Sequence, residues 1–245
     1  MAEDPELRPA FYAAGRGAWR DWWTLLHPPY TAWHLSYVVI GASLAPQVRL
    51  DRLFGTLLAF FLAVGLAAHA LDELQGRPLR TQLPSPVLVA VTVAGLAGAL
   101  AVGIVGVTRV GWVLVPFLVL GPLLVVAYNA ELFGGIVHTD LGFALAWGAF
   151  PVLTAYVAQT QRLSVGAGLA AAAAVALSSA QRSLSTPARL LRRQVTGVSG
   201  TMTLAEGESR PVDRSTLLGP LEAALRALSW GVVLLAAGLA VTRLG

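Results

Sequence analysis

Long apolar runs, each ended by a short cluster of charge, dominate the chain. A helix needs about 20 mainly apolar residues to cross the hydrocarbon of a bilayer. Seven stretches reach that length: 29–48, 53–71, 85–107, 110–130, 141–159, 163–180 and 221–242. The first is the most polar, carrying His34, Ser36 and Ser43. The third has Gly95, Ala99 and Gly103 at four-residue spacing, the pattern that lets helix backbones approach closely in lipid. The sixth is alanine-rich, lacks bulk to face lipid and is expected inside the bundle. Ahead of the first run, 18–26 places Trp19, Trp22 and Trp23 beside Arg20 and Asp21, which predicts an interfacial helix. His27-Pro28-Pro29 then breaks it before the first span.

The charge between the runs sets the orientation. With the N-terminus inside, the inner face receives Arg8, Arg16, Arg20, Arg77, Arg80, Arg182, Arg189, Arg192, Arg193, Arg210 and Arg214. The outer face receives only Arg49, Arg52, Arg109, Arg162 and Arg243. Basic residues favour the cytoplasmic side, so the N-terminus is expected in the cytoplasm and the C-terminus outside. Twelve of the 13 acidic residues also fall inside, Asp51 excepted. The inner connections are the long ones, 72–84, 131–140 and 181–220, so chemistry is expected at the cytoplasmic rim. Residues 1–26 read as a cytoplasmic segment and 27–245 as the membrane domain.

Composition agrees. The chain is 56% hydrophobic and 12% charged, with a mean hydropathy of +0.68. A soluble domain carries about a quarter charged residues, so an all-α, multi-pass cell-membrane protein of about seven spans is expected. Cysteine is absent, which excludes disulfides, thiolate metal sites and a cysteine nucleophile. All 17 basic residues are arginine, so a lysine nucleophile or Schiff base is excluded too. Glu3, Asp4, Glu6 and Arg8 leave no apolar core for a cleavable signal. No nucleic-acid partner is expected.

The densest charge cluster closes the second run: His69-Ala-Leu-Asp72-Glu73-Leu-Gln-Gly-Arg77-Pro-Leu-Arg80. Carboxylates and arginines at a membrane rim are costly unless paired with each other, a metal or an anion. On a helix His69 and Glu73 share one face with Asp72 alongside, a set that could hold a divalent cation. The plainer reading is that Asp72 and Glu73 mark the boundary and pair with Arg77 and Arg80, folded back by the turn at Gly76. The next inner loop offers Asn129, Glu131, His138 and Asp140, where Asp140 is expected to cap a helix. The third begins at Gln181-Arg182 and continues through Arg189, Arg192 and Arg193, suited to anionic headgroups or a diphosphate. Its later part, 196–215, is polar and expected to be mobile. His34 is expected to hydrogen-bond a neighbouring helix, and Glu222 to pair with Arg226.

The order of these elements resembles the UbiA superfamily of intramembrane prenyltransferases. Leu26-His-Pro-Pro-Tyr30 leading to Gly41-Ala-Ser-Leu-Ala45 is similar to that family's first helix. Asp72-Glu73 followed by Gly76-Arg77-Pro78-Leu79 resembles its first aspartate-rich region. Ala127-Tyr128-Asn129 leading to Asp140-Leu-Gly-Phe, and on to Pro151-Val-Leu-Thr-Ala-Tyr156, resembles its fourth-to-fifth helix passage. The likeness covers roughly residues 20–182.

The resemblance implies a helical bundle around a cavity open to the cytoplasmic rim and to lipid. It also implies prenyl transfer from a polyprenyl diphosphate to an aromatic, quinone-precursor or lipid acceptor. Mg²⁺ would be held by Asp72 and Glu73, with Arg77, Arg80, Asn129, Asp140 and Arg182 around the substrate. The chain departs from the family pattern at Ala68 and Gly76, which stand four residues either side of Asp72, where the family has Asn and Asp. No acidic residue lies between Asp140 and Glu206, where a second aspartate motif belongs. A binding protein of the same fold, holding an isoprenoid, quinone or lipid and serving a partner membrane protein, therefore stands beside the enzyme. A small transporter is the third reading.

Overall fold

A computed structural model describes residues 8–15 and 17–244; Glu3, Asp4, Glu6 and Arg16 lie outside the described residues. The chain is 75% helical. An amphipathic helix α1 (Ala18–Leu25) precedes α2 (Pro28–Ser43), α3 (Leu50–Leu74), α4 (Ser85–Val110) and α5 (Trp112–Asn129). Then come α6 (Asp140–Thr160), α7 (Val165–Arg193) and α8 (Arg214–Leu244). Five of these, α3, α4, α5, α6 and α8, are long and apolar enough to cross a membrane. The architecture is that of an all-α membrane protein.

Where apolar bulk faces outward, the solvent must be hydrocarbon. Phe54 and Leu58 on α3, Val93 and Ile104 on α4, Leu123 on α5 and Trp230 on α8 all stand exposed. In water such a belt would be an aggregation surface.

The short, polar α2 occupies the opposite niche. It has 16 residues and would span about 24 Å, less than a hydrocarbon core. It packs against α6 and α8, burying Trp33 and Tyr37 to 1% exposure. Its hydroxyls are satisfied within protein: Ser36 donates to the Ala32 carbonyl at 2.7 Å, and Tyr37 to that of Ala174 at 3.2 Å. Gly41 makes the closest α2–α6 approach, since a Cβ there would lie 2.3 Å from the Val152 carbonyl oxygen. Gly95 plays the expected small-residue part, bringing α4 against the backbone of α3 at Leu62.

Two helices widen into π turns, α3 at Phe61–Ala68 and α6 at Leu145–Ala149. Such turns often mark functional sites, and both border the cavity described below.

Two expectations are corrected. α7 is not enclosed: a stripe of Ala167, Ala171, Ala174 and Ser178 is buried, while Val165 and Leu169 face outward. The connection 181–220 is shorter, because α7 continues through Pro187 to Arg193 and α8 starts at Arg214. Residues 196–215 contain an antiparallel ribbon, Gly200–Thr203 against Ser209–Val212, closed by a turn at Gly207.

α1 docks as an amphipathic helix. Leu25 packs with Ala70, Leu83 and Leu88, while Trp19 and Trp23 remain exposed.

Candidate functional site: a cation- and imidazole-lined cavity

Asp72 and Glu73 leave the end of α3 in different directions, as adjacent helical residues must. Glu73 is fully buried, and its carboxylate accepts hydrogen bonds from Leu79 N, Thr81 N and Thr81 Oγ1, each at 2.9 Å. Those bonds fold the 75–84 connection, so Glu73 is a structural acceptor and not a ligand of the cavity. Arg77 donates to Leu83 O at 2.6 Å and Ser85 Oγ at 2.7 Å, and exposed Arg80 reaches only Arg193 O at 3.5 Å. Among the described residues neither arginine forms an ion pair with Asp72 or Glu73, and neither lines the cavity. The expected boundary pairing is therefore replaced by bonds to backbone.

Asp72 faces a cavity of about 320 Å³ at the ends of α2, α3, α5 and α7. Asn129 and Arg182 line it as well. Asn129 also donates to Val125 O at 2.8 Å. Asp140 stands at the exposed edge, held by Arg182 at 2.7 Å. It does not cap α6; Thr139 does, its hydroxyl accepting from Gly142 N at 2.9 Å.

Of the remaining lining, His69 and His138 were expected as possible cation ligands and Arg189, Arg192 and Arg193 as an anion-binding run, whereas His27, His34 and the tyrosines were not expected at a site. All four histidines of the chain, His27, His34, His69 and His138, border this one cavity. So do Tyr12, Tyr30 and Tyr128, and Arg189, Arg192 and Arg193 from the end of α7. His34 bonds a neighbouring helix as expected, through Nδ1 to Trp147 O at 3.0 Å. The His27 and His69 rings lie 4.1 Å apart, centroid to centroid.

Residues 9–12, ahead of the helices, also line the cavity. This strap is held by Arg192 on Arg8 O at 3.3 Å, Arg193 on Pro9 O at 3.2 Å and Ala14 N on Thr24 Oγ1 at 3.0 Å. Arg192 also forms a bidentate pair with Glu222, whose second neighbour is Arg226 at 3.2 Å, the pairing expected for that residue.

A second chamber of about 350 Å³ occupies the other half of the bundle between α3, α4, α5 and α6. It is walled by apolar residues such as Phe60, Leu118, Phe117 and Phe150, and ends near Arg52 and Arg109. Val64 and Trp147 border both spaces. Asp51 and Asp72 mark opposite ends of α3, about 30 Å apart at a helical rise, so the pair of chambers runs the depth of a bilayer.

The residues present do not fit the Mg²⁺ ions that the resemblance implies. Mg²⁺ takes oxygen ligands in octahedral geometry, usually from carboxylates and phosphates. Here Glu73 is saturated, Glu222 is paired with two arginines, and Asp72 and exposed Glu131 share the cavity with four arginines. Among the described residues no three His, Asp or Glu side chains converge as a metal set. What four arginines can do is grip an anion.

Burial pushes His27 down to about 4, with the fields of Arg193 and Arg189 adding to it against the opposing bond to Leu25 O. Its unfolded value is near 6.5, so between those values the unfolded chain binds the extra proton. Stability from this group is complete above about pH 6.5 and is lost as pH falls toward 4, by up to about 3 kcal/mol. His27 also holds a left-handed backbone, φ 46°, which asparagine tolerates well. His27→Asn is therefore expected to fold and to flatten the fall in thermal midpoint between pH 6.5 and 4.5. A variant melting with the wild-type pH slope would contradict this.

No protein-family model matches the chain, no curated protein matches it, and no solved structure matches it.

Proposed function

We propose that the chain binds a lipid with an isoprenoid-like hydrocarbon and a phosphate or diphosphate head. In this reading α2 and α7 join the five long helices as membrane-embedded elements, the N-terminus is cytoplasmic, and the polar cavity opens to the cytoplasm of a cell-membrane protein. The observation that supports it most is the junction at Val64 and Trp147, where an arginine-lined cavity adjoins an apolar chamber. An amphiphile needs that pairing: charge-assisted bonds for its head, and a dry wall for its chain. Arg182 and Arg189 supply the charge, and the UbiA resemblance agrees with an isoprenoid occupant.

Prenyl transfer to an aromatic, quinone-precursor or lipid acceptor is the second reading. It is favoured by Asp72, a cavity carboxylate with no ion pair among the described residues. The poor fit to Mg²⁺ puts binding ahead of it, with a partner membrane protein doing the chemistry.

Mass spectrometry of lipid carried by protein purified in native-membrane discs tests the proposal. A polyprenyl phosphate or diphosphate enriched over the bulk membrane is expected, reduced at least tenfold by Arg189→Gln at unchanged helicity. Recovery of bulk phospholipid alone would sink it. Diphosphate release from an allylic prenyl diphosphate, abolished by Asp72→Ala, would promote the second reading.

A further inference from the structure

The histidines share a feature that a bare diphosphate does not use. In each, Nδ1 lies against a backbone carbonyl: Leu25 O at 2.7 Å for His27, Trp147 O at 3.0 Å for His34, Gly65 O at 3.2 Å for His69 and Tyr128 O at 2.9 Å for His138. A carbonyl only accepts, so Nδ1 carries the hydrogen, and in the neutral ring Nε2 is a lone pair. Two of those carbonyls, Gly65 and Trp147, belong to the π turns of α3 and α6, which aim both rings into the same cavity. No hydrogen bond to any of the four Nε2 atoms occurs among the described residues.

A fifth acceptor stands beside them. Gln181 is buried at 5% exposure and lines the cavity beside the Tyr30 hydroxyl, and its Oε1 accepts no hydrogen bond within 3.5 Å among the described residues. A buried acceptor left unpaired is costly, so this wall calls for a ligand that donates hydrogen bonds. The ionised oxygens of a phosphate or diphosphate ester are acceptors. They satisfy the arginines and leave the imidazoles unanswered.

We propose that the head group is a phosphorylated polyol: its phosphate lies on Arg182 and Arg189, and its hydroxyls donate to the imidazole wall formed by His27, His34 and His69. The inference rests on the anionic-lipid reading above and names the head group of that same site. A cavity of about 320 Å³ accommodates a monosaccharide phosphate, and the aromatic side chains of Tyr30 and Trp147 border it.

Calorimetric titration of the full-length protein in detergent tests it with three soluble probes: inorganic phosphate, glucose 1-phosphate and phenyl phosphate. Glucose 1-phosphate is expected to bind at least tenfold more tightly than either other probe, a difference of about 1.4 kcal/mol. His69→Phe and, separately, His34→Phe are expected to cut that margin below threefold while phosphate affinity is kept. Equal affinity for glucose 1-phosphate and phosphate on the wild-type protein would overturn the polyol and leave the anionic reading standing. A preference for phenyl phosphate would overturn it in favour of an aromatic head. A margin that survives in both variants would also overturn it. Binding of none of the probes would remove the anionic reading, and this inference with it.

Discussion

Glu73→Ala is expected to destabilise the protein by about 4 kcal/mol, while Asp72→Asn, one residue earlier, leaves the thermal midpoint nearly unchanged. The difference lies in what each carboxylate touches. Alanine at 73 removes the acceptor for three donors, Leu79 N, Thr81 N and Thr81 Oγ1. Leu79 and Thr81 are themselves buried, so water cannot take over, and each orphaned donor costs roughly 1–3 kcal/mol. The same bonds hold a connection in which Arg77 and Arg80 both sit at φ 56°, a left-handed backbone costing about 1–2 kcal/mol per residue. Glu73→Gln should fall between, because one amide oxygen replaces one acceptor while its NH₂ opposes a donor. Thermal melts of the three variants in one detergent check the ranking. An Asp72 variant less stable than Glu73→Ala would mean that the two side chains have exchanged roles.

The membrane character was legible because apolar runs declare themselves without reference to tertiary structure. α3, α4, α5, α6 and α8 all overlap the long runs. α2 and α7 differ because a helix lodged in protein need not be apolar all round; His34 and Tyr37 find partners on α6 and α7, and Ser36 bonds back to Ala32 O of its own helix. The site was only half legible. Asp72, Asn129 and Arg182 were found from their place at the ends of runs. Glu73, Arg77 and Arg80 carry the same kind of signal, yet bond to backbone, a choice that charge and spacing do not encode. The arginines of α7 were read as loop because the apolar run ends at Ala180, just before Gln181 and Arg182. With that helix continued, Gln181, Ser185, Ala188 and Leu191 recur at helical spacing and extend the buried stripe of Ala171, Ala174 and Ser178. The histidines are separated by up to 111 positions, His27 to His138, so their convergence is a property of the bundle alone.

Glu222→Leu is expected to cost about 3–5 kcal/mol, and Arg192→Leu/Glu222→Leu to recover most of that loss. Arg192 and Glu222 tie the end of α7 to the start of α8 with side chains only 8% and 7% exposed. Removing one partner of such a pair strands a buried charge, whereas replacing both with apolar groups is often neutral. The two single variants should be unequal. Arg192→Leu leaves Glu222 with Arg226 at 3.2 Å, an arginine that is 56% exposed and can follow it toward water. Glu222→Leu takes the carboxylate away from two arginines at once, Arg192 and Arg226. A double-mutant cycle of thermal stability measures the coupling directly, and a double variant as unstable as Glu222→Leu would show that the pair's packing, not its charge, holds α7 to α8. The cycle also separates stability from binding. If Arg192 is spent on Glu222 and the strap, the double variant should retain phosphate affinity within about threefold, because Arg182 and Arg189 still face the cavity. A tenfold loss there would move the anion toward Arg192 and require the strap at residues 9–12 to lift whenever the head group enters.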